Sequence, residues 1–125
     1  MFDHISFGVS NLERSLAFYD AVLAPLGIKR IFNLTDIAGY GVDNFPRFWL
    51  VSRQKFTHEV SKGFHLAFAA KNRADIDAFY EQAIASGAKD DGKPGLRPNY
   101  HPHYYAAFVV DPDGYRIEAV CHQPA

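Results

Sequence analysis

The chain repeats itself. An offset of 61 places, which carries residue 4 onto residue 65, lays His4-Ile5-Ser6-Phe7 on His65-Leu66-Ala67-Phe68, Asn11 on Asn72, and Ala17-Phe18-Tyr19-Asp20 on Ala78-Phe79-Tyr80-Glu81. A repeat of this length means that one supersecondary unit is built twice, so the fold is assembled from two like halves. In 125 residues the two halves fill a single domain, residues 1–125, with a first module at about 1–53 and a second at about 63–122.

Each half opens with a strand pattern and passes into a helix. In the first, Ile5, Phe7 and Val9 alternate with His4, Ser6 and Gly8, the period of a strand with one face on a core, and His4 falls on the other face. Asn11 offers a helix cap, and Leu12, Leu16, Tyr19 and Leu23 recur at helical spacing, predicting a helix over 12–24 that Pro25 and Gly27 end. Three strands follow, at 29–33, 37–42 and 48–52, the last two separated by an Asp43-Asn44-Phe45-Pro46 turn. The second half replays this order. A strand is expected at 64–69, a helix at 73–86 capped by Asn72 and stopped by Gly87, and strands at 89–91, 104–110 and 115–121. Asp111-Pro112-Asp113-Gly114 makes a tight hairpin loop between the last two. Residues 53–63 read as a linker, and the Gly-, Pro- and His-rich stretch 92–103 as a surface excursion. The fold class is therefore α+β, two βαβββ modules.

Charge and composition remove several functions. Thirteen Lys plus Arg against 14 Asp plus Glu, scattered along the chain, leave no basic footprint for nucleic acid. No apolar run approaches the roughly 20 residues of a membrane span. Cys121 is the one cysteine and has no partner for a bridge, and the start Met-Phe-Asp-His lacks a signal-peptide pattern, so a cytoplasmic location is expected. Eleven Phe, 7 Tyr and 1 Trp exceed what a small core needs, which points to aromatic walls of a pocket for a small molecule.

The repeat also has chemical meaning. His4 and His65 are equivalent and are expected to face one cleft across the pseudo-twofold axis, each among small neighbours: Ser6 and Gly8, or Ala67 and Ala69. In the last strand Glu118 alternates with Ile117 and Ala119, so its carboxylate turns to the same surface. Two imidazoles and a carboxylate form a three-ligand set for a divalent ion with other positions open. If Asp111 pairs with Tyr115, Phe108 falls opposite Glu118 and Tyr104 on the same side. His101 and Tyr104 are candidates for proton transfer, and Trp49, Arg97 and Tyr100 for substrate contacts. His58, His103 and His122 have no evident constellation and are expected at the surface; Cys121 is expected to be structural.

The stretches His4-Ile5-Ser6-Phe7-Gly8-Val9, Phe64-His65-Leu66-Ala67-Phe68 and Asp111-Pro112-Asp113-Gly114-Tyr115-Arg116-Ile117-Glu118 resemble the vicinal oxygen chelate superfamily, across nearly the whole chain. That superfamily includes glyoxalase I, extradiol dioxygenases, fosfomycin-resistance enzymes and bleomycin-resistance proteins. The resemblance implies sheets curled around a metal, with His4, His65 and Glu118 on family ligand places and zinc, nickel, manganese or iron as the ion. It also implies a homodimer. The fourth ligand place of glyoxalase I aligns with Trp49, which cannot ligate. The implied function is glyoxalase-like lyase or isomerase chemistry, or extradiol-type dioxygenation, on a small oxygenated substrate. The alternative is a metal-free protein that sequesters an aromatic compound or antibiotic.

Overall fold

In the computed structural model, residues 1–53, 60–61 and 63–125 are described. The first module runs β1 (Ile5–Val9), α1 (Leu12–Leu23), β2 (Lys29–Asn33), β3 (Ile37–Val42) and β4 (Phe45–Ser52). The second runs β5 (Leu66–Ala69), α2 (Arg73–Ala85), β6 (Lys89–Leu96), β7 (Tyr105–Val110) and β8 (Arg116–Cys121). Each module makes one four-stranded sheet in the same order, β1-β4-β3-β2 and β5-β8-β7-β6. The first strand of each lies parallel to the last and the other pairs are antiparallel, so both sheets are mixed. The parallel pair needs a long connection, and the helix with the two outer strands supplies it. These are the two βαβββ units the repeat predicts. Among the described residues no helix is long and apolar enough to cross a membrane.

The helices start as the sequence implies. The Asn11 side chain accepts from the Arg14 N–H at 3.0 Å, and Asn72 from the Asp75 N–H at 2.9 Å. α1 closes with a short 3₁₀ turn at Ala24–Leu26, and Gly27 takes the left-handed conformation beyond it. Phe18, Tyr19, Val22 and Leu23 of α1 and Ile76, Phe79 and Ala83 of α2 are buried against one face of their sheets. There they meet Phe7, Val9, Phe48 and Leu50, and Phe68, Ile117 and Ala119. The two cores merge, because Phe7 stacks on Tyr115 with centroids 4.0 Å apart and Phe48 meets Phe68 edge-on at 5.3 Å. α1 also packs on α2. The helix-side faces therefore turn inward, and on the opposite faces Ser6, Ala67 and Ala69 are exposed.

Several expected boundaries shift. β4 begins at Phe45, because the turn is only Asp43-Asn44, both with positive φ (56° and 59°), the two-residue hairpin geometry that Asp and Asn tolerate. β6 continues to Leu96, so the expected excursion at 92–103 shrinks to residues 97–104. Its Gly and Pro serve register shifts at Gly92 and between Gly92 and Gly95, devices that keep a strand paired while bending it. β5 starts at Leu66, leaving His65 just ahead of the strand as His4 is just ahead of β1; β7 and β8 start at Tyr105 and Arg116. α1 and α2 each end one residue earlier than expected. Residues 54–59 and 62, with His58 and most of the expected linker, lie outside the described residues.

The Asp111–Gly114 loop binds one module to the other. Gly114 takes φ +95°, its N–H donates to the Asp111 carbonyl at 3.0 Å, and Asp111 N–H donates to Tyr115 O at 2.8 Å. The Asp111 carboxylate accepts from the Asp113 and Tyr115 N–H groups, both at 2.9 Å, and from the Tyr19 hydroxyl of α1 at 2.5 Å. Asp113 accepts from Arg14 at 2.9 Å and from the Ser10 hydroxyl, at the N-terminus of α1 where a negative charge is favoured. Tyr115 O–H donates to Gly8 O at 2.7 Å.

Burial pushes the Asp111 carboxyl up to about 6, against the pull of the Tyr19 and backbone donors. Its unfolded value is about 3.9. Between those pH values the folded state binds the extra proton, so stability falls as pH rises, by about 3 kcal/mol in all. Asp111→Asn keeps an acceptor for both N–H groups and cannot titrate. Chemical denaturation from pH 4 to pH 7 is expected to show the wild type losing stability relative to Asp111→Asn; parallel profiles would contradict this.

Candidate functional site

The site grows from the register of the second sheet. Ala67 of β5 pairs with Glu118 of β8, which pairs with Phe108 of β7, and Phe108 pairs with Gly92 of β6. Ile117 and Ala119 take the helix-side face, so Glu118 and Phe108 stand on the other. Glu118 is nevertheless only 1% exposed. Burying a carboxylate costs several kcal/mol unless donors meet it. Here the Tyr104 hydroxyl donates to Oε2, and His65 Nε2 stands 3.1 Å from Oε1.

Residues 97–104 form the cover. The Arg97 N–H donates to Tyr104 O at 2.7 Å, closing the loop, and Tyr100 N–H donates to Arg97 O at 3.0 Å. The Arg97 guanidinium is held by Gly95 O at 2.8 Å and Lys93 O at 2.7 Å, and lies over the Phe108 ring at 5.4 Å. Gly92 makes room for this layer: a Cβ there would fall 2.9 Å from Phe108 Cδ1 and 3.2 Å from Arg97 Nη2. The result is a cavity of 440 Å³ whose walls include His65, Glu118, Tyr104, Phe108, Tyr100 and His101. Arg116 and Asp91, paired at 3.1 Å, are at its rim.

Burial, and then the bond to the Glu118 carboxylate, push the Tyr104 phenol well above its ordinary value, with Arg97 opposing. Tyr104 therefore keeps its proton at neutral pH and donates it to Oε2. His101 is placed differently. Its Nδ1 accepts from the His103 N–H at 3.1 Å, so the ring's proton is on Nε2, which donates to His122 Nδ1 at 2.7 Å. The two imidazoles stack with centroids 5.0 Å apart.

Of the expected ligands, His65 and Glu118 are together and His4 is apart from them. His4 Nδ1 lies 2.7 Å from Asp3 Oδ1, and the ring shares with His65 a second cavity, of 470 Å³, walled also by Phe2, Arg47 and Leu66. Among the described residues, no three His, Cys, Asp or Glu side chains of one chain gather as a metal-holding group. Trp49 lines neither cavity. It is half-buried over Gly39, where a Cβ would fall 2.7 Å from Cζ3, with Phe32 edge-on at 5.3 Å. Ser6 pairs with Trp49 as Ala67 pairs with Glu118, so Trp49 is the first-module counterpart of the buried carboxylate.

His122 is exposed, as expected, but it also bonds His101 and lies against Tyr104, a grouping that sequence reading did not find. The pairing of Asp111 with Tyr115, continued along the hairpin through Tyr105 and Cys121, brings His122 opposite Tyr104. That register was the available signal. His103 is exposed as expected, and Cys121 is buried and unbridged.

Two members of the expected donor set, His65 and Glu118, have the spacing of neighbouring metal ligands, and His4 is not with them. Two adjacent ligands, each at about 2.0–2.2 Å from one ion, are about 3 Å apart, which is the spacing of His65 Nε2 and Glu118 Oε1. Tyr104, holding the other carboxylate oxygen, would orient the ligand. Removing that donor leaves a buried carboxylate oxygen unmet, so Tyr104→Phe is expected to cost about 1–3 kcal/mol in chemical denaturation. An unchanged midpoint would show that Tyr104 does not support Glu118.

Residues 1–119 match the model of the glyoxalase/bleomycin resistance protein/dioxygenase superfamily. The chain is similar to a solved glyoxalase/bleomycin resistance protein from Albidiferax ferrireducens T118, with 32% identity, 97% of this chain and 98% of that one covered, and a TM-score of 0.86. It is also 29% identical to the protein YqjT of Bacillus subtilis (strain 168), over 94% of this chain and 95% of that one. A metallothiol transferase, FosB, of Shouchella clausii (strain KSM-K16) is 26% identical, over 93% of this chain and 76% of that protein.

Proposed function

Since the chain belongs to the glyoxalase/bleomycin resistance protein/dioxygenase superfamily, we propose that it is a metal-dependent enzyme acting on a small oxygenated substrate. The observation that carries this reading is the fully buried Glu118 carboxylate with an imidazole nitrogen 3.1 Å from one oxygen and a phenol on the other. His65 and Glu118 would hold the ion, with His4 as the third ligand. His4 is apart from that pair within a chain, and Ser6 of β1 and Ala67 of β5 are exposed. A homodimer that apposes the β1 face of one copy to the β8 face of the other would complete the set.

A bound zinc, nickel, manganese or iron ion supplies Lewis-acid polarisation of substrate oxygens. The chain's own residues do the rest. Tyr104 orients Glu118 and presents a phenol that donates and does not abstract. His101 is on the cavity wall and would transfer a proton only after its ring gives up the bond to His122 or to His103. Phe108 and Tyr100 wall the substrate, Arg97 stands beside Phe108 as a cation for an anionic substituent, and Trp49 would face the substrate across the dimer. Lyase or isomerase chemistry, ring-cleaving dioxygenation and thiol transfer all suit such a site. The single buried Cys121 suits a reducing cytoplasm.

Metal analysis of protein purified without chelator tests the reading. About one equivalent of divalent metal per chain is expected, with affinity falling at least about tenfold in Glu118→Gln, His65→Ala and His4→Ala. The second reading, metal-free sequestration, is favoured by the aromatic wall of Phe108, Tyr100 and Tyr104. A wild-type protein that takes up no metal and binds aromatic compounds tightly would establish it instead.

A further inference from the structure

The His101–His122 pair is not needed by the ligand set, yet it sits where the cover joins the sheet. His122 directly follows β8, and His101 lies midway along the 97–104 loop. Their bond is thus a side-chain tie between that loop and the end of β8. Around it the Tyr104 ring meets His101 edge-on at 5.5 Å and His122 at 5.2 Å, while Tyr100 meets Tyr104 at 4.9 Å. Tyr104 N–H in turn donates to His101 O at 3.2 Å.

We propose that His122 is a positioning residue that, with His101, clamps the 97–104 loop over the cavity and releases it on acidification. The proton count gives the reason. A backbone N–H can only donate, so the His103 contact fixes His101 Nδ1 as an acceptor and leaves its proton on Nε2. That proton goes to His122 Nδ1, which is therefore also an acceptor. These are the two ring nitrogens of the pair that carry no proton. A proton added to His101 severs the His103 tie, and one added to His122 severs the tie to the sheet. Both rings neutral is the one state in which the clamp is complete.

The groups facing the pair do not compensate a positive charge. From the loop come the phenols of Tyr104 and Tyr100, the His103 N–H, and the cation of Arg97, held over Phe108 on β7. From β8, Glu118 is reached through Tyr104; His65, ahead of β5, and Asp91 with Arg116 are on other parts of the cavity wall. Among the described residues no carboxylate bonds either imidazole. Acidification supplies such a proton, so the loop, and with it the hold of Tyr104 on Glu118, loosens as the pH falls.

Only this last consequence rests on the proposed metal site; the clamp itself is tested on the full-length protein treated with chelator. Amide hydrogen exchange across residues 97–104 is measured at pH 7.5 and pH 5 and expressed as protection relative to the unstructured chain. Wild-type protection at His103 and Tyr104 is expected to fall about tenfold or more at pH 5, the loss of about one hydrogen bond. His122→Phe, which keeps a ring without nitrogen, is expected to show the low value already at pH 7.5. His122→Asn, whose carbonyl can accept from His101 and takes up no proton, is expected to restore wild-type protection at pH 7.5. Unchanged wild-type protection between the two pH values, or His122→Phe matching wild type at pH 7.5, would overturn the clamp. Should His122→Phe lose protection throughout β7 and β8 as well, the wild-type pH series and His122→Asn decide. A failure of metal binding at His65 and Glu118 would leave these readings untouched.

Discussion

A carboxylate that the strand period drives onto a buried spot of the second sheet is the constraint around which the rest is arranged. Glu118 could lie on the helix-side face only by displacing Ile117 and Ala119 from the core, since a one-residue slip of β8 exchanges its two faces. It is kept on the other face and then sealed from water, which obliges the chain to supply partners. Tyr104 comes from the end of the cover and His65 from the approach to β5. The bare Gly92, which admits Phe108 beneath Arg97, belongs to the same requirement, because a side chain there would lift the layer that excludes water. An isolated buried carboxylate is a cost; one that also faces a cavity beside an imidazole is a candidate functional group.

Duplication made two such positions and only one was used. Register sets Trp49 where the second module has Glu118, and Gly39 beneath it is the counterpart of the space that Phe108 fills. The two modules thus share a backbone and differ in chemistry. One presents an apolar, aromatic face and the other a polar cavity. They are joined through their helix-side faces and the Asp111–Gly114 loop, whose carboxylates reach Tyr19, Ser10 and Arg14. That mode of joining leaves Ser6, Ala67 and Ala69 exposed on the remaining faces, where the proposed second copy would sit.

Much of this was legible in the sequence. The offset between His4 and His65 gave the two modules, the caps Asn11 and Asn72 gave the helix starts, and the hairpin at Asp111–Gly114 placed Phe108 and Tyr104 beside Glu118. What escaped did so for physical reasons. Gly92, Pro94 and Gly95 look like loop by composition, but a strand that bulges needs such residues, so β6 was read too short. The Asp43-Asn44 turn was read two residues too long, because Phe45 and Pro46 resemble loop punctuation while pairing with Val42 and Gly41. His122 was passed over because a lone imidazole past a strand carries no pattern, although the hairpin register already pointed to Tyr104. The separation of His4 from His65 and Glu118 depends on how the two sheets pack, which no periodicity along the chain encodes.

The most direct examination is anomalous diffraction from crystals grown with manganese or nickel. The account expects one strong anomalous peak between His65 Nε2 and Glu118 Oε1, with the His4 imidazole of a second copy completing the contact. Peaks confined to surface histidines, with the His65 and Glu118 side chains still in contact and no ion between them, would contradict it.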